Sequence, residues 1–243
     1  MANPERERIF LDICSGIWEN IGMNGFILKT IACIAMLIDH AAVVFESRLP
    51  MELYWVMRGV GRLAFPIFCF FIAEGFMRTR SRGRYALRLA LFAIISEIPF
   101  DLVASGQVMH LSSQNVYLTL LLGLLGIWGY DVLAKKRASV GGAMVALLCA
   151  LAAHLLRADY GAGGVLLIFV IYLCAASKVW QGVGVTFVMW GLTRAYHPIQ
   201  MLGVLGWALC LCYNGQRGPR AKYVMYAFYP LHLLGLWLLG VWI

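Results

Sequence analysis

The sequence predicts an all-α protein, a polytopic transmembrane helical bundle of about nine spans with an N-terminal amphipathic helix. Three observations predict it. Nine strongly apolar stretches follow one another along 243 residues. Hydrophobic residues make up 62% of the chain and charged residues 13%, against about 25% charge in a soluble domain. Lys and Arg gather in alternate loops, the pattern that sets topology across a membrane. A span needs about 20 apolar residues, so the spans and short loops use nearly the whole chain and leave little for a soluble domain.

Residues 1–24 read as a cytoplasmic segment and residues 25–243 as one integral membrane domain. In the first segment Ile9, Leu11, Ile13, Ile17 and Ile21 suggest a helix lying on the membrane surface. Asp12 and Glu19 interrupt its apolar part, so no cleavable signal peptide is expected. The spans are predicted at 25–45, 56–77, 85–104, 115–133, 138–156, 161–177, 179–193, 199–213 and 223–242. Pro66 favours a kink in the second. The sixth and seventh are short and closely joined, as in a re-entrant pair.

Orientation follows from the loop cations. Arg78, Arg80, Arg82 and Arg84 follow the second span, and Lys135, Lys136 and Arg137 the fourth. Lys178 follows the sixth, and Arg217, Arg220 and Lys222 the eighth. The odd loops hold Arg48, Arg157 and Arg194, apart from Arg58 at a span mouth. The even loops and the N-terminus are therefore expected in the cytoplasm. The net charge of +8 fits topology signals and anionic headgroups better than nucleic acid. Cys14, Cys33, Cys69, Cys149, Cys174, Cys210 and Cys212 lie mostly within apolar runs and read as packing residues, and no metal site is expected.

Ionisable groups inside these runs are the candidates for function, because one at membrane depth costs about 2.5–3.5 kcal/mol on insertion scales. His40 lies in the outer half of the first span, and its imidazole suits proton transfer at neutral pH. Neighbours on a helix do not face each other, so Asp39 is expected to pair with an Arg rather than to orient His40. Arg58 and Arg62 lie one turn apart on one face and need a carboxylate, carbonyls or an anion. Glu97, Asp101, Gln114, Asn115, Asp159, Tyr160, Tyr229 and His232 are expected to line a chamber at the same level, with His232 a second candidate base. The alternatives are a structural ion-pair network for the arginines and a membrane-interface belt for the tyrosines. Glu74 is expected to pair with a nearby Arg, and His110, His154 and His197 carry little weight.

Six strings carry a resemblance: LKTIACIAMLIDH (28–40), RGVGRLAFPIFCFFIAEGFMRTR (58–80), YALRLALFAIISEIPFDL (85–102), QNVYLTLLLGLLG (114–126), ADYGAGGVLLI (158–168) and YNGQRGPRAKYVMYAFYPLH (213–232). Together they resemble the TraX family of bacterial membrane proteins, named for a conjugation protein that acetylates the amino terminus of pilin. The family is similar to integral membrane acyltransferases, which use an acyl-CoA donor and a His. The resemblance implies an acetyl-CoA-dependent N- or O-acetyltransferase with His40 catalytic, supported by Asp39, Arg58 and Arg62. Arg58 or Arg62 would stabilise the oxyanion. Arg78, Arg80, Arg84, Arg88, Asn214, Arg217 and Lys222 would receive the phosphates of the cytosolic donor. The acceptor, a protein such as a pilin or a small molecule, would enter from outside. Transfer directly or through an acetyl-His both stay open. Membrane lipids are expected partners, nucleic acid is not, and a homo-oligomer is compatible. The rival readings are a proton-coupled transporter, which the lack of an internal repeat disfavours, and a non-catalytic assembly factor of a conjugation or secretion apparatus.

Overall fold

The computed structural model describes residues 22–110, 112–219 and 221–242, so the amphipathic helix expected before residue 22 lies outside the described residues. Those residues are helical throughout, with no strand beyond two isolated bridges. Helix α1 spans Gly25–Val44 and starts at Asn24, whose side chain accepts from the Phe26 and Ile27 N–H groups, each at 3.0 Å. That cap satisfies two of the four donors every helix start leaves open.

The second predicted span is built from two helices, α2 (Met51–Gly61) and α3 (Ala64–Arg78). The break falls at Arg62 and Leu63, whose N–H groups bond back three residues to Gly59 and Val60. Pro66 explains the position: it has no N–H to offer the Arg62 carbonyl, so the α-helix restarts between them. Gly206 lets a later helix lie on this break, since a Cβ there would strike the Leu63 carbonyl.

Helix α4 (Arg82–Ser105) ends at Gly106, whose φ of 70° suits glycine and whose N–H returns to Leu102. Helix α5 (Val116–Ala134) is capped by Asn115. Helices α6 (Ser139–Leu155) and α7 (Gly161–Leu173) pack against α5 through small residues, including Gly126, Gly142 and Ala146. The sixth and seventh predicted spans are two separate helices, α7 and α8 (Lys178–Ala195). The eighth resolves into a 3-10 segment, Pro198–Leu202, and a short helix α9 (Gly203–Cys210). Helix α10 (Lys222–Trp242) carries Pro230, and the Tyr226 carbonyl it leaves without an N–H accepts instead from the Tyr117 hydroxyl at 2.8 Å.

Among the described residues, four segments are long and apolar enough to cross a membrane: Gly25–Val44, Met51–Arg78, Val116–Ala134 and Lys222–Trp242. The others are shorter or carry more charge. Two backbone staples mark the ends of the bundle. At the first end Met23 pairs with Tyr213, where the Met23 N–H reaches Cys212 at 2.7 Å. Arg78 reaches the Gly215 carbonyl and Arg82 reaches Asp131 there too. At the second end Gln114 pairs with Ala158. Between them lies a core that includes Leu28, Ile67, Phe76, Leu124, Ile127 and Ile168.

Candidate functional site

Polar side chains converge toward the second end. Asp39 on α1 takes Arg58 of α2 and Arg62 at the break that follows it: Oδ1 lies 2.8 Å from Arg58 Nη1, and Oδ2 lies 2.6 Å from Arg62 Nη2. The spacing of four residues puts both guanidinium groups on one face, so one carboxylate spans them. Gly61 makes the approach close enough, because a Cβ there would occupy the space of the Asp39 side chain. We predict that Gly61→Ala costs about 1–3 kcal/mol by overpacking and loosens the ion cluster, which thermal unfolding in detergent would detect.

The two arginines differ in what they have left to give. Arg62 is buried, and all three of its nitrogens are engaged: Nη2 with Asp39, Nε with the Arg58 carbonyl at 3.2 Å, and Nη1 with the Tyr160 hydroxyl at 3.3 Å. Arg58 has Asp39 as its ion-pair partner and lines a cavity. That cavity has a volume of about 200 Å³. Asp39, His40, Arg58, Arg62, Asp159, Tyr160 and Tyr229 share its wall with apolar side chains. Tyr160 closes one side, stacked on Phe65 with ring centroids 3.7 Å apart. Its φ of 62° is rare for a bulky residue. The Thr119 hydroxyl holds this turn by donating to the Asp159 carbonyl.

His40 also lines the cavity, and its Nδ1 lies 2.7 Å from Nε2 of His232 on α10. His232 stands behind it, outside the cavity lining, with Nδ1 at 2.7 Å from the Phe228 carbonyl.

Asp159 sits among the packed helices but is exposed where it lines the cavity, and no Lys or Arg pairs with its carboxylate among the described residues. Burial pushes its carboxyl up to about 6 against the opposing pull of Arg62. The folded protein thus holds a proton that the unfolded chain, with an ordinary value of 3.8, releases earlier. The stabilisation from that proton is full below about 3.8 and is lost as pH rises through about 6. Asp159→Asn is therefore expected to flatten the stability profile across that window, read as thermal midpoints from pH 4 to 7.

Besides His232, four predicted chamber residues do not line this cavity. Glu97 accepts from the Asn115 backbone and side chain, which caps α5 and ties it to α4. Asp101 accepts from the His110 N–H at 2.7 Å and orders the loop after α4. Gln114 serves through its backbone, exchanging bonds with Arg157 and Asp159. These side chains build the rim on which Tyr160 and Asp159 sit. The residues missed were apolar: Met36, Val43, Phe65, Phe68, Phe100 and Val103. A signal for two of them was available, since Met36, Asp39, His40 and Val43 follow the i, i+3, i+4, i+7 spacing of one helix face.

The predicted phosphate ligands lie at the first end. Asn24, where that end begins, and His40 are separated by 16 residues of helix, about 24 Å at 1.5 Å per residue. Arg78 is paired with Glu74 at 2.6 Å, and Asn214 is fixed in its turn by bonds to Gly22 and Gln216. Arg80, Arg84, Arg217 and Lys222 are exposed, and no carboxylate pairs with them among the described residues. Arg88 lies deeper on α4 against the Tyr85 ring, its Nε without a hydrogen-bond partner among the described residues. A second cavity, of about 230 Å³, opens here between Glu74, Arg78, Lys178 and Tyr213.

This is an all-helical protein with an arginine–aspartate cluster and a histidine pair around one internal cavity. The TraX protein family model matches residues 24–240, and the chain belongs to that family. It is 31% identical over 237 residues to a protein of Dichelobacter nodosus described as a probable fimbrial assembly protein, FimC of serogroup H1. That match covers 88% of this chain and 95% of the relative. An uncharacterized protein of Rickettsia prowazekii (strain Madrid E) is 30% identical over 97 residues, 40% of this chain and 34% of its own. No solved structure matches the chain.

Proposed function

We propose that this protein is an acyltransferase of the bacterial inner membrane, moving an acetyl or other short acyl group from acyl-CoA to an amine or hydroxyl. The observation that carries the reading is that His40 and Arg58 line one cavity, the first a base and the second a cation held by Asp39. In this reading the helices span the bilayer about nine times, as the alternation of apolar runs and cationic loops indicates. The N-terminus and the first end lie in the cytoplasm and the cavity lies toward the outer side.

His40 accepts the proton of the acceptor's N–H or O–H as that atom's electron pair attacks the thioester carbonyl carbon. Arg58 donates to the carbonyl oxygen as it becomes an oxyanion, which for a well-placed donor is worth about 3–4 kcal/mol. Asp39 and Arg62 hold Arg58 in place. When the C–S bond breaks, the departing thiolate takes the proton from His40, so the base is restored within one turnover. The exposed cations Arg80, Arg84, Arg217 and Lys222 suit the phosphates of the donor at the opposite end. Asp159 suits a cationic acceptor, since it is the one cavity carboxylate not engaged by an arginine among the described residues.

The Dichelobacter relative's description supports a pilus subunit as the acceptor. It equally favours a second reading, a non-catalytic factor in fimbrial assembly. Incubating the purified protein with acetyl-CoA and candidate acceptors separates the two. Acceptor-dependent release of free thiol supports the enzyme, and its absence with an acceptor that binds supports the assembly factor.

A further inference from the structure

We propose that His232 is a positioning residue that fixes the tautomer of His40, so that Nε2 of His40 is the single basic atom presented to the cavity. The inference rests on the acyl-transfer reading for its consequence, but its geometry stands apart from it.

The argument is one of donor and acceptor counting along a chain of three groups. The Phe228 carbonyl can only accept a hydrogen bond. His232 Nδ1, 2.7 Å from it, must therefore carry the hydrogen. A neutral imidazole has one N–H, so His232 Nε2 holds a lone pair and accepts. The atom facing it at 2.7 Å is His40 Nδ1, which must then be the donor. The second nitrogen of His40, Nε2, is left bare. Each step follows from the previous one, and only one tautomer of each ring satisfies both bonds.

The ring planes agree with this assignment. The two imidazoles are 23° from coplanar with centroids 5.0 Å apart, so the N–H of one points along the lone pair of the other. Phe228 stacks on His232 with centroids 4.8 Å apart, and the Tyr229 ring meets His40 edge-on at 6.0 Å. Both histidines are thus held against rotation. His40 lines the cavity and His232 does not. The pair has the logic of a base with an orienting partner, where the partner here is a neutral ring anchored to a backbone carbonyl rather than a carboxylate. Asp39, the neighbour in sequence, is committed to the arginines and is not that partner.

The test is ¹⁵N NMR of histidine-labelled protein in detergent, with the His40 signals assigned by their loss in His40→Gln. The expected result is His40 with Nδ1 protonated and Nε2 bare. His232→Gln keeps an acceptor oxygen near the place of Nε2 and should keep that tautomer, whereas His232→Phe should release it to a mixture. In the transfer assay His232→Phe should lower kcat about 10- to 100-fold with KM little changed, a fraction of what a positioned base supplies, and His232→Gln should recover most of the loss. Nε2-protonated or doubly protonated His40 in the unaltered protein would overturn the proposal, as would an unchanged tautomer in folded His232→Phe. If His232→Phe does not fold, the spectra of the unaltered protein and His232→Gln decide. A protein with the expected tautomer that transfers no acyl group would sink the enzymatic reading and leave this assignment standing.

Discussion

His40→Ala is expected to reduce acceptor-dependent thiol release from acetyl-CoA by about 10²–10⁴-fold, the range a positioned general base contributes. Expression and thermal midpoint should change little. The imidazole forms one wall of an open cavity, and its removal enlarges that space without stranding a charge. The hydrogen bond it leaves behind is to Nε2 of His232, which a water admitted by the cavity can satisfy. A fall in activity with the fold intact marks His40 as part of the chemistry. Full activity in the variant would remove it from the mechanism proposed above.

Asp39→Ala should act in the opposite manner, on stability first. Asp39 holds two guanidinium groups whose side chains are 23% and 7% exposed. Without it, two positive charges one turn apart face each other with no carboxylate in ion-pair contact among the described residues, and guanidinium groups cannot discharge by losing a proton. Breaking a buried pair by removing one partner costs about 3–5 kcal/mol. Asp39→Ala is therefore expected to express poorly and to melt early in detergent. Restoring neutrality tests the cause: Asp39→Ala combined with Arg58→Leu and Arg62→Met should regain much of the midpoint while remaining without activity. If the triple variant were no more stable than Asp39→Ala, repulsion between the arginines would not be the reason for the loss.

Much of this site was legible because charge is conspicuous in an apolar background. Asp39, His40, Arg58 and Arg62 stand out in the sequence for the same reason that they must find partners in the fold. The cost of leaving any of them alone is large enough to dictate that they meet. Glu97, Asp101 and Asn115 were conspicuous in the same way but answer to a different demand, the backbone donors of the loop at 106–115 and the start of α5. A carboxylate near a span end satisfies an N–H as readily as it lines a chamber, and sequence position does not separate the two uses. The aromatic wall was illegible for the converse reason. Phe65, Phe68 and Phe100 are apolar residues in apolar helices, and only packing tells a cavity wall from a core or an outer face. The break between α2 and α3 was half legible: Pro66 announced a disturbance, but its effect falls on the carbonyl four residues earlier. The pairing of His40 with His232 joins positions 192 residues apart and has no local trace.

That separation bears on how the protein matures. The Asp39, Arg58 and Arg62 cluster closes within 23 residues of chain, so it can assemble while most of the polypeptide is still on the ribosome. His40 waits for α10, the helix synthesised after all the others described here. Until then the imidazole lacks the neighbour that selects its tautomer, and under the proposed acyl-transfer reading a half-made copy would be spared from consuming thioester to no purpose.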